Sequence, residues 1–315
     1  MRLFHEIRRI SRRLGINLNE FDRLLKKEQN RKIKRILAPW NRGLGDIPLG
    51  LYAFIERAKV FIPDVEITFL TRTDLLEAFS LLEDVHVIPV PWWERGRQAD
   101  VRGTLLKLGI SEDTFDLVFD RINPTKWFPW QIGQLTPRLK WKADYDNLWR
   151  RFALDFSVPY IGAHISTETQ QFYGYRKDWP LEKWRELFRV ICKEDVRVIL
   201  FGLKKDNSFK NNSFVMDLRG ETGLLEMLSI IKNCCKVLIA PDGGILSIAY
   251  YLDVNFPITV ISLWGDSHQG VLKQGVPSPN PGLFHVPLIG KNNDVTRISV
   301  EEVVEALNTN MNVQG

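Results

Sequence analysis

The stretch 237–252, VLIAPDGGILSIAYYL, limits what this chain can fold into more than any other. Its opening apolar run reads as a buried strand, Pro241-Asp242-Gly243-Gly244 as a sharp turn, and the apolar continuation as a helix packed on a sheet. Two consecutive glycines let the backbone come close to a ligand and leave the amides at the helix start open, which suits an anion. Standing alone, the stretch reads first as an ordinary strand-to-helix turn. Its context changes that.

The same plan recurs along the chain. Strand patterns fall at 36–40, 65–70, 85–90 and 115–119, then at 160–165, 196–201, 214–218 and 258–263, with helical patterns at 49–60, 74–82, 180–191, 224–232 and 299–308. Strands that alternate with helices form a parallel sheet covered on both faces. A chain of 315 residues with 44% apolar content can fill two such cores. We therefore expect a basic helical arm at 1–32, a first Rossmann-like domain at 33–157 and a second at 158–315.

The charge is uneven. Residues 1–35 hold twelve of the 43 Lys/Arg but only four of the 38 Asp/Glu, so the rest of the chain is slightly acidic. That distribution removes the main support for nucleic-acid binding by a whole domain. Leu3, Phe4, Ile7, Ile10 and Leu14, interleaved with Arg8, Arg9, Arg12 and Arg13, predict a basic amphipathic helix. It docks either on an anionic membrane face or on the protein's own body. No apolar run is long enough to cross a membrane and no secretory signal is evident, so the reading is cytoplasmic. Cys192, Cys234 and Cys235 are too few for a disulfide framework and lack zinc-ligand spacing.

After the first strand comes Asn41-Arg42-Gly43-Leu44-Gly45-Asp46-Ile47-Pro48. The dinucleotide fingerprint fails, because Pro48 stands where a third glycine or alanine belongs. Asp46 falls at a helix entrance beside the crevice where open α/β sheets bind ligands, as a cap or as a reactive carboxylate. Between 123 and 156, Trp127, Trp130, Trp141 and Trp149 mix with Lys126, Arg138, Lys140, Lys142, Arg150 and Arg151. Such a texture suits a sugar bearing phosphate or carboxylate groups, or a helical subdomain that buries its own tryptophans. Asp144-Tyr145-Asp146 follows no strand and reads as a solvated helical face rather than a metal site.

Four stretches together resemble glycosyltransferase family 9, the bacterial lipopolysaccharide heptosyltransferase family. They are the Gly43-Leu-Gly-Asp46 turn; Lys177-Asp-Trp-Pro-Leu-Glu-Lys-Trp-Arg-Glu-Leu; Asp217-Leu-Arg-Gly-Glu-Thr-Gly-Leu-Leu-Glu226; and Pro241-Asp-Gly-Gly244 with Trp264-Gly-Asp266. None is specific alone; their order and spacing over roughly 33–308 are. The resemblance implies GT-B architecture, with two facing Rossmann-like domains, and an inverting transfer of a sugar without metal or other cofactor. It also implies an ADP-sugar donor, heptose by default, and an anionic glycan or glycolipid acceptor of the lipopolysaccharide type. By match to the family, Asp46 is the base and Lys177 the phosphate-contacting cation. Donor contacts are expected at Thr167, Lys177, Gly202, Gly220, Asp242, Gly243 and Gly244, and acceptor contacts at Arg42, Gly45, Lys126 and Trp127. The chain departs from the family at Ser247, where relatives usually carry histidine, at Pro241, and in the extra residues between Thr167 and Lys177. A non-catalytic nucleotide- or glycan-binding relative is the competing reading.

Overall fold

The computed structural model describes residues 19–29, 31–155, 157–167, 169, 174–192, 196–210 and 212–311. The amphipathic helix expected over 1–14 lies outside them. The chain forms two compact units. One comprises the described residues up to Arg42, with Gly50–Thr73 and Asp84–Gln134; the other comprises Gly43–Leu49, Asp74–Glu83 and the described residues from Leu135 on.

In the first unit a parallel sheet is built from β1 (Arg35–Trp40), β2 (Glu66–Thr71), β3 (Val85–Pro89) and β4 (Leu117–Val118), in the order β3-β2-β1-β4. All of β1 beyond Arg35 is buried, as a run of Ile, Leu, Ala, Pro and Trp requires. Helix Glu20–Gln29 is capped by Asn19, whose Oδ1 accepts the Asp22 amide at 2.8 Å. It is fixed to this unit by Phe21, stacked on Trp127 at 4.9 Å and on Phe54 at 5.1 Å, and by Asp22, which accepts two bonds from Arg57 at 2.6 and 2.7 Å.

Short β4 is held by Asp116, whose carboxylate accepts the amides of Lys34 and Arg35. Those bonds, with the Arg35 guanidinium, bring its pKa down to about 2. A carboxylate depressed in the folded state adds stability that is present above its usual value and is lost as pH falls through the folded one. Asp116→Asn is therefore expected to lower Tm most near pH 6 and hardly at all near pH 2; equal losses at both would refute the assignment.

The second unit holds a two-stranded parallel pair, β5 (Leu139–Lys140) with β10 (Leu252–Asp253), and a six-stranded parallel sheet. The latter consists of β6 (Tyr160–His164), β7 (Arg197–Phe201), β8 (Val215–Asp217), β9 (Cys235–Pro241), β11 (Ile258–Trp264) and β12 (Leu283–Ile289), in the order β12-β11-β9-β6-β7-β8. Helices Leu181–Ile191 and Val300–Met311 cover one face, and Trp184, Leu187, Phe188, Val303 and Leu307 join Ile161, Leu200 and Ile261 in its core. From β6 the chain runs outward through β7 and β8, then returns to β9 on the other side of β6. That reversal makes a topological switch point between β6 and β9.

β12 was not among the strands read from the sequence, and Pro287 sits inside it. An edge strand tolerates proline, since one side of its backbone has no ladder to feed. The basic, tryptophan-rich segment is 3₁₀-helical over Ala143–Phe152, and several of its charges are matched within the unit. Arg138 and Lys140 each reach Asp253 at 3.0 Å, Arg151 reaches Glu226 at 2.9 Å, and Asp146 pairs with Lys232 at 2.7 Å. Among the described residues, no helix is long and apolar enough to cross a membrane.

Candidate active site

The loops that leave the carboxyl ends of β6 and β9 flank the switch point of the second unit. Thr167, in the first, donates its amide and hydroxyl to Asp178 Oδ1 at 2.8 and 2.7 Å. Its methyl rests on Gly243, where a Cβ would lie 2.9 Å from Thr167 Cγ2. Helix Gly244–Tyr250 follows, and its first closed bond runs from the Ser247 amide to the Gly243 carbonyl at 3.1 Å. The amides of Gly244, Ile245 and Leu246 thus have no partner within the helix.

Asp242 departs from expectation. Its amide does not serve an anion, because it extends the β9 to β11 ladder by donating to the Leu263 carbonyl at 3.1 Å. What it offers the site is its side chain. The residue is 5% exposed, and Lys177 Nζ donates to its Oδ2. Burial pushes the Asp242 pKa up; the lysine pulls it back, and the carboxylates of Asp266 and Asp46 push it up further. Three acidic side chains and one ammonium therefore share a single electrostatic neighbourhood.

The 43–46 turn belongs to this neighbourhood. A Cβ on Gly244 would meet Leu44 Cβ at 2.8 Å and the Gly45 amide nitrogen at 3.1 Å; a Cβ on Gly45 would meet Gly244 Cα at 3.2 Å. Each glycine is required by the other. The glycines read in the sequence as clearance for a ligand also give clearance for a second turn of the chain. Gly244→Ala is expected to push the 43–46 turn off the helix start and cost about 1–3 kcal/mol, the usual range for overpacking, measurable by urea unfolding. An unchanged midpoint would show that the two turns do not touch.

Asp46 itself is half-buried. Its Oδ2 accepts the Gly43 amide at 3.3 Å, while its own amide donates to the Gly43 carbonyl at 3.2 Å. That is a helix-start cap, so the carboxylate is anchored locally and still bears on Asp242 from a distance. The helix it opens begins as a π-helical turn over Ile47–Leu51 before becoming α-helical over Tyr52–Phe61. Wide turns of this kind occur often where a helix end is shaped around a site.

Next to the switch point lies a cleft of about 730 Å³ at the carboxyl ends of β6, β7 and β8, with Ser166, Asp178, Trp179, Gly202, Asp206 and Arg219 in its wall. Gly202 and Gly220 meet there through a 2.8 Å bond from the Gly220 amide to the Gly202 carbonyl. Arg219 is 4% exposed and is held by Asp217 at 2.7 Å and Asp206 at 2.9 Å. It fills the side of Gly202 where a Cβ would lie, 3.3 Å from Arg219 Cγ.

Of the residues expected at the site, the structure gathers Gly45, Asp46, Thr167, Lys177, Asp242, Gly243 and Gly244 around one point, with Gly202 and Gly220 at the adjoining cleft. Arg42, Lys126 and Trp127 lie in the first unit. Arg42 and Lys126 are exposed. Trp127 is 8% exposed, with Phe21 on one face and Phe119 and Phe128 about its edge, so packing rather than ligand contact accounts for its surroundings. Ser247 is buried and its Oγ donates to the Gly243 carbonyl at 3.1 Å. Sequence reasoning missed Gly270, where a Cβ would fall 2.6 Å from Asp242 Oδ1; nothing near it in sequence marks it.

Two parallel-sheet units, with glycine turns and charged groups at a switch point, define the class: an α/β protein of GT-B-like fold. The model of glycosyltransferase family 9 (heptosyltransferase) matches residues 116–279, and the chain belongs to that family. Over 126 residues it is 29% identical to lipopolysaccharide heptosyltransferase 2 of Salmonella typhimurium, a match that spans 37% of this chain and about a third, 34%, of that relative. Among solved structures, Escherichia coli ADP-heptose lps heptosyltransferase II superposes with a TM-score of 0.60 at 18% identity, covering 89% of this chain and 99% of the other. The family 9 glycosyl transferase from Veillonella parvula gives 0.58 at 14% identity, covering 88% and 96%. Escherichia coli heptosyltransferase WaaC with ADP gives 0.53 at 15%, covering 88% and 99%.

Proposed function

We propose that this protein transfers a sugar from a nucleotide-sugar onto a glycan hydroxyl, with inversion at the anomeric carbon. The observation that carries this reading is the convergence of Asp46, Lys177 and the Gly243-Gly244 helix start at one switch point. In a single displacement the acceptor oxygen attacks as the bond to the diphosphate breaks. The acceptor proton passes to a carboxylate, and the departing diphosphate needs positive charge. Asp46 supplies the first. The attacking hydroxyl becomes acidic as its bond to the sugar forms, which is when a positioned carboxylate takes its proton.

Lys177 and the free amides at the helix start supply the second, so the charge on the leaving group is met without a divalent ion. Thr167 and the cleft by Gly202 and Gly220 take the rest of the donor. The default donor is ADP-heptose and the default acceptor an anionic glycan or glycolipid of the lipopolysaccharide type, received by Arg42, Gly45 and Lys126. Residues 1–14 would bring the protein to the cytoplasmic face of a membrane carrying that acceptor, and their deletion is expected to reduce co-sedimentation with anionic liposomes.

The burial of Ser247, where relatives usually carry histidine, favours a second reading, a relative that binds the donor without turning it over. One assay separates the two. A panel of ADP- and UDP-sugars is incubated with lipopolysaccharide-core acceptors, with and without EDTA, and transfer is followed by mass spectrometry. Transfer in the presence of EDTA supports the first reading; donor binding with no transfer from any pair supports the second.

A further inference from the structure

Lys177 takes one oxygen of Asp242, Oδ2. The other, Oδ1, lies against Gly270, where a Cβ would fall 2.6 Å from that oxygen and 2.8 and 2.9 Å from Cη2 and Cζ3 of Trp264. Gly270 has φ +49°, in the left-handed region, so two separate constraints reserve the position for glycine. Its backbone is a wedge between a carboxylate and an indole edge. The carboxylate can stay where it is only while the indole does.

Trp264 ends β11 and is fully buried. Its Nε1 donates to Ser262 Oγ at 2.6 Å, and Ser262 Oγ lies 2.6 Å from His285 Nε2. An indole nitrogen only donates, so the serine oxygen accepts from it, and the same oxygen shares a second hydrogen bond with His285. Burial pulls the His285 pKa down to about 4, which keeps the ring neutral near pH 7, and it packs edge-on against Tyr250 at 5.0 Å. The three side chains form one hydrogen-bonded line, tryptophan to serine to histidine.

We propose that the Trp264–Ser262–His285 relay, acting through Gly270, holds the Asp242 carboxylate against Lys177. These are positioning residues, since none of them touches the reacting atoms. The consequence for turnover rests on the transfer reading above; the mechanical coupling does not. The relay sets the angle of the indole, the indole sets Gly270, and Gly270 closes the side of Asp242 away from the lysine.

The experiment reads Lys177 directly in the full chain. Amine labelling is followed by mass spectrometry at Lys177 and at Lys183, whose Nζ is bonded to the carbonyls of Thr296 and Ile298 and serves as internal reference. Ser262→Ala and His285→Phe are each expected to speed labelling of Lys177 about tenfold, the scale of one lost charge-assisted hydrogen bond, and leave Lys183 unchanged. The double variant is expected to label no faster than either single, because parts of one relay are not additive. Ser262→Ala removes a single atom and keeps the test available should the larger replacement unfold. Unchanged labelling in the single variants, or effects that multiply in the double, would overturn the proposal. Absence of sugar transfer by the unaltered protein would instead sink the transfer reading, with the labelling result still deciding this one.

Discussion

Asp46→Asn is expected to lower kcat by about 10²–10⁴-fold, the usual contribution of a positioned base, and leave donor affinity almost unchanged. The replacement is suited to the question because the amide keeps an oxygen able to accept from the Gly43 N–H, so the turn that places residue 46 survives. The charge goes and the geometry stays. The same change removes one of the carboxylates that push the Asp242 pKa up, so Asp242 holds its proton less tightly in the variant. The pairing with Lys177 is therefore not weakened, and a loss of turnover reports the base alone. Steady-state kinetics with the donor identified by the panel, together with calorimetric titration of ADP, would check both halves. Full activity would end the assignment of Asp46.

Lys177→Met is expected to be the most damaging single change, because it acts on turnover and on folding together. Removing one partner of a buried pair usually costs about 3–5 kcal/mol at neutral pH, since the remaining charge has no compensation. Here that charge is Asp242, whose pKa already lies above its ordinary value because of burial and which loses the one neighbour pulling it down. A carboxylate raised in the folded state destabilises the fold above that raised pKa. The penalty shrinks as pH falls through it and is gone below the unfolded value. Unfolding of the variant in urea should therefore show a large deficit at pH 7 that narrows as pH falls toward 5. In the unaltered protein, where Lys177 opposes the shift, the same interval should show a weaker trend. A deficit independent of pH would mean that Asp242 does not carry it. Donor affinity is expected to fall along with kcat, in contrast to Asp46→Asn, because the cation meets the diphosphate in the bound state as well as in the transition state.

Much of the fold could be read from the order of residues. β1, β9 and β11 are apolar runs bounded by turn residues, and a strand buried on both faces has no other common form. The amphipathic pattern of Leu181–Ile191, with Trp184, Leu187 and Phe188 on one side, specified which face meets the sheet. Where two local signals conflicted, the reading failed. β12, with Pro287 inside it, was not among the strands read, and the charges of 138–151 suited a ligand as well as a self-contained helical subdomain, while nearby acids match several of them. Trp127 illustrates the same limit. An aromatic ring beside a lysine looks alike in sequence whether it stacks on a sugar or, as here, on Phe21.

The candidate site divides in a similar way. Asp46, Lys177 and the paired glycines stand out in the sequence because acids, cations and glycines at strand-to-helix turns carry a local chemical meaning. Their roles relative to one another do not. The Asp242 amide proved to belong to the sheet and its carboxylate to the site, and only the register of β9 on β11 decides that. Gly270 becomes part of the site through a contact with a residue nearly thirty positions earlier.

The sequence by itself determined a parallel α/β protein with glycine turns at its strand ends, because periodicity, turn chemistry and burial are properties of neighbours along the chain. The tertiary structure alone decided which carboxylate faces which ammonium, which glycine yields to which, and that an indole, a serine and an imidazole form a line behind them. Such distances are set by how strands and helices pack, and packing sums over contacts far apart in the chain.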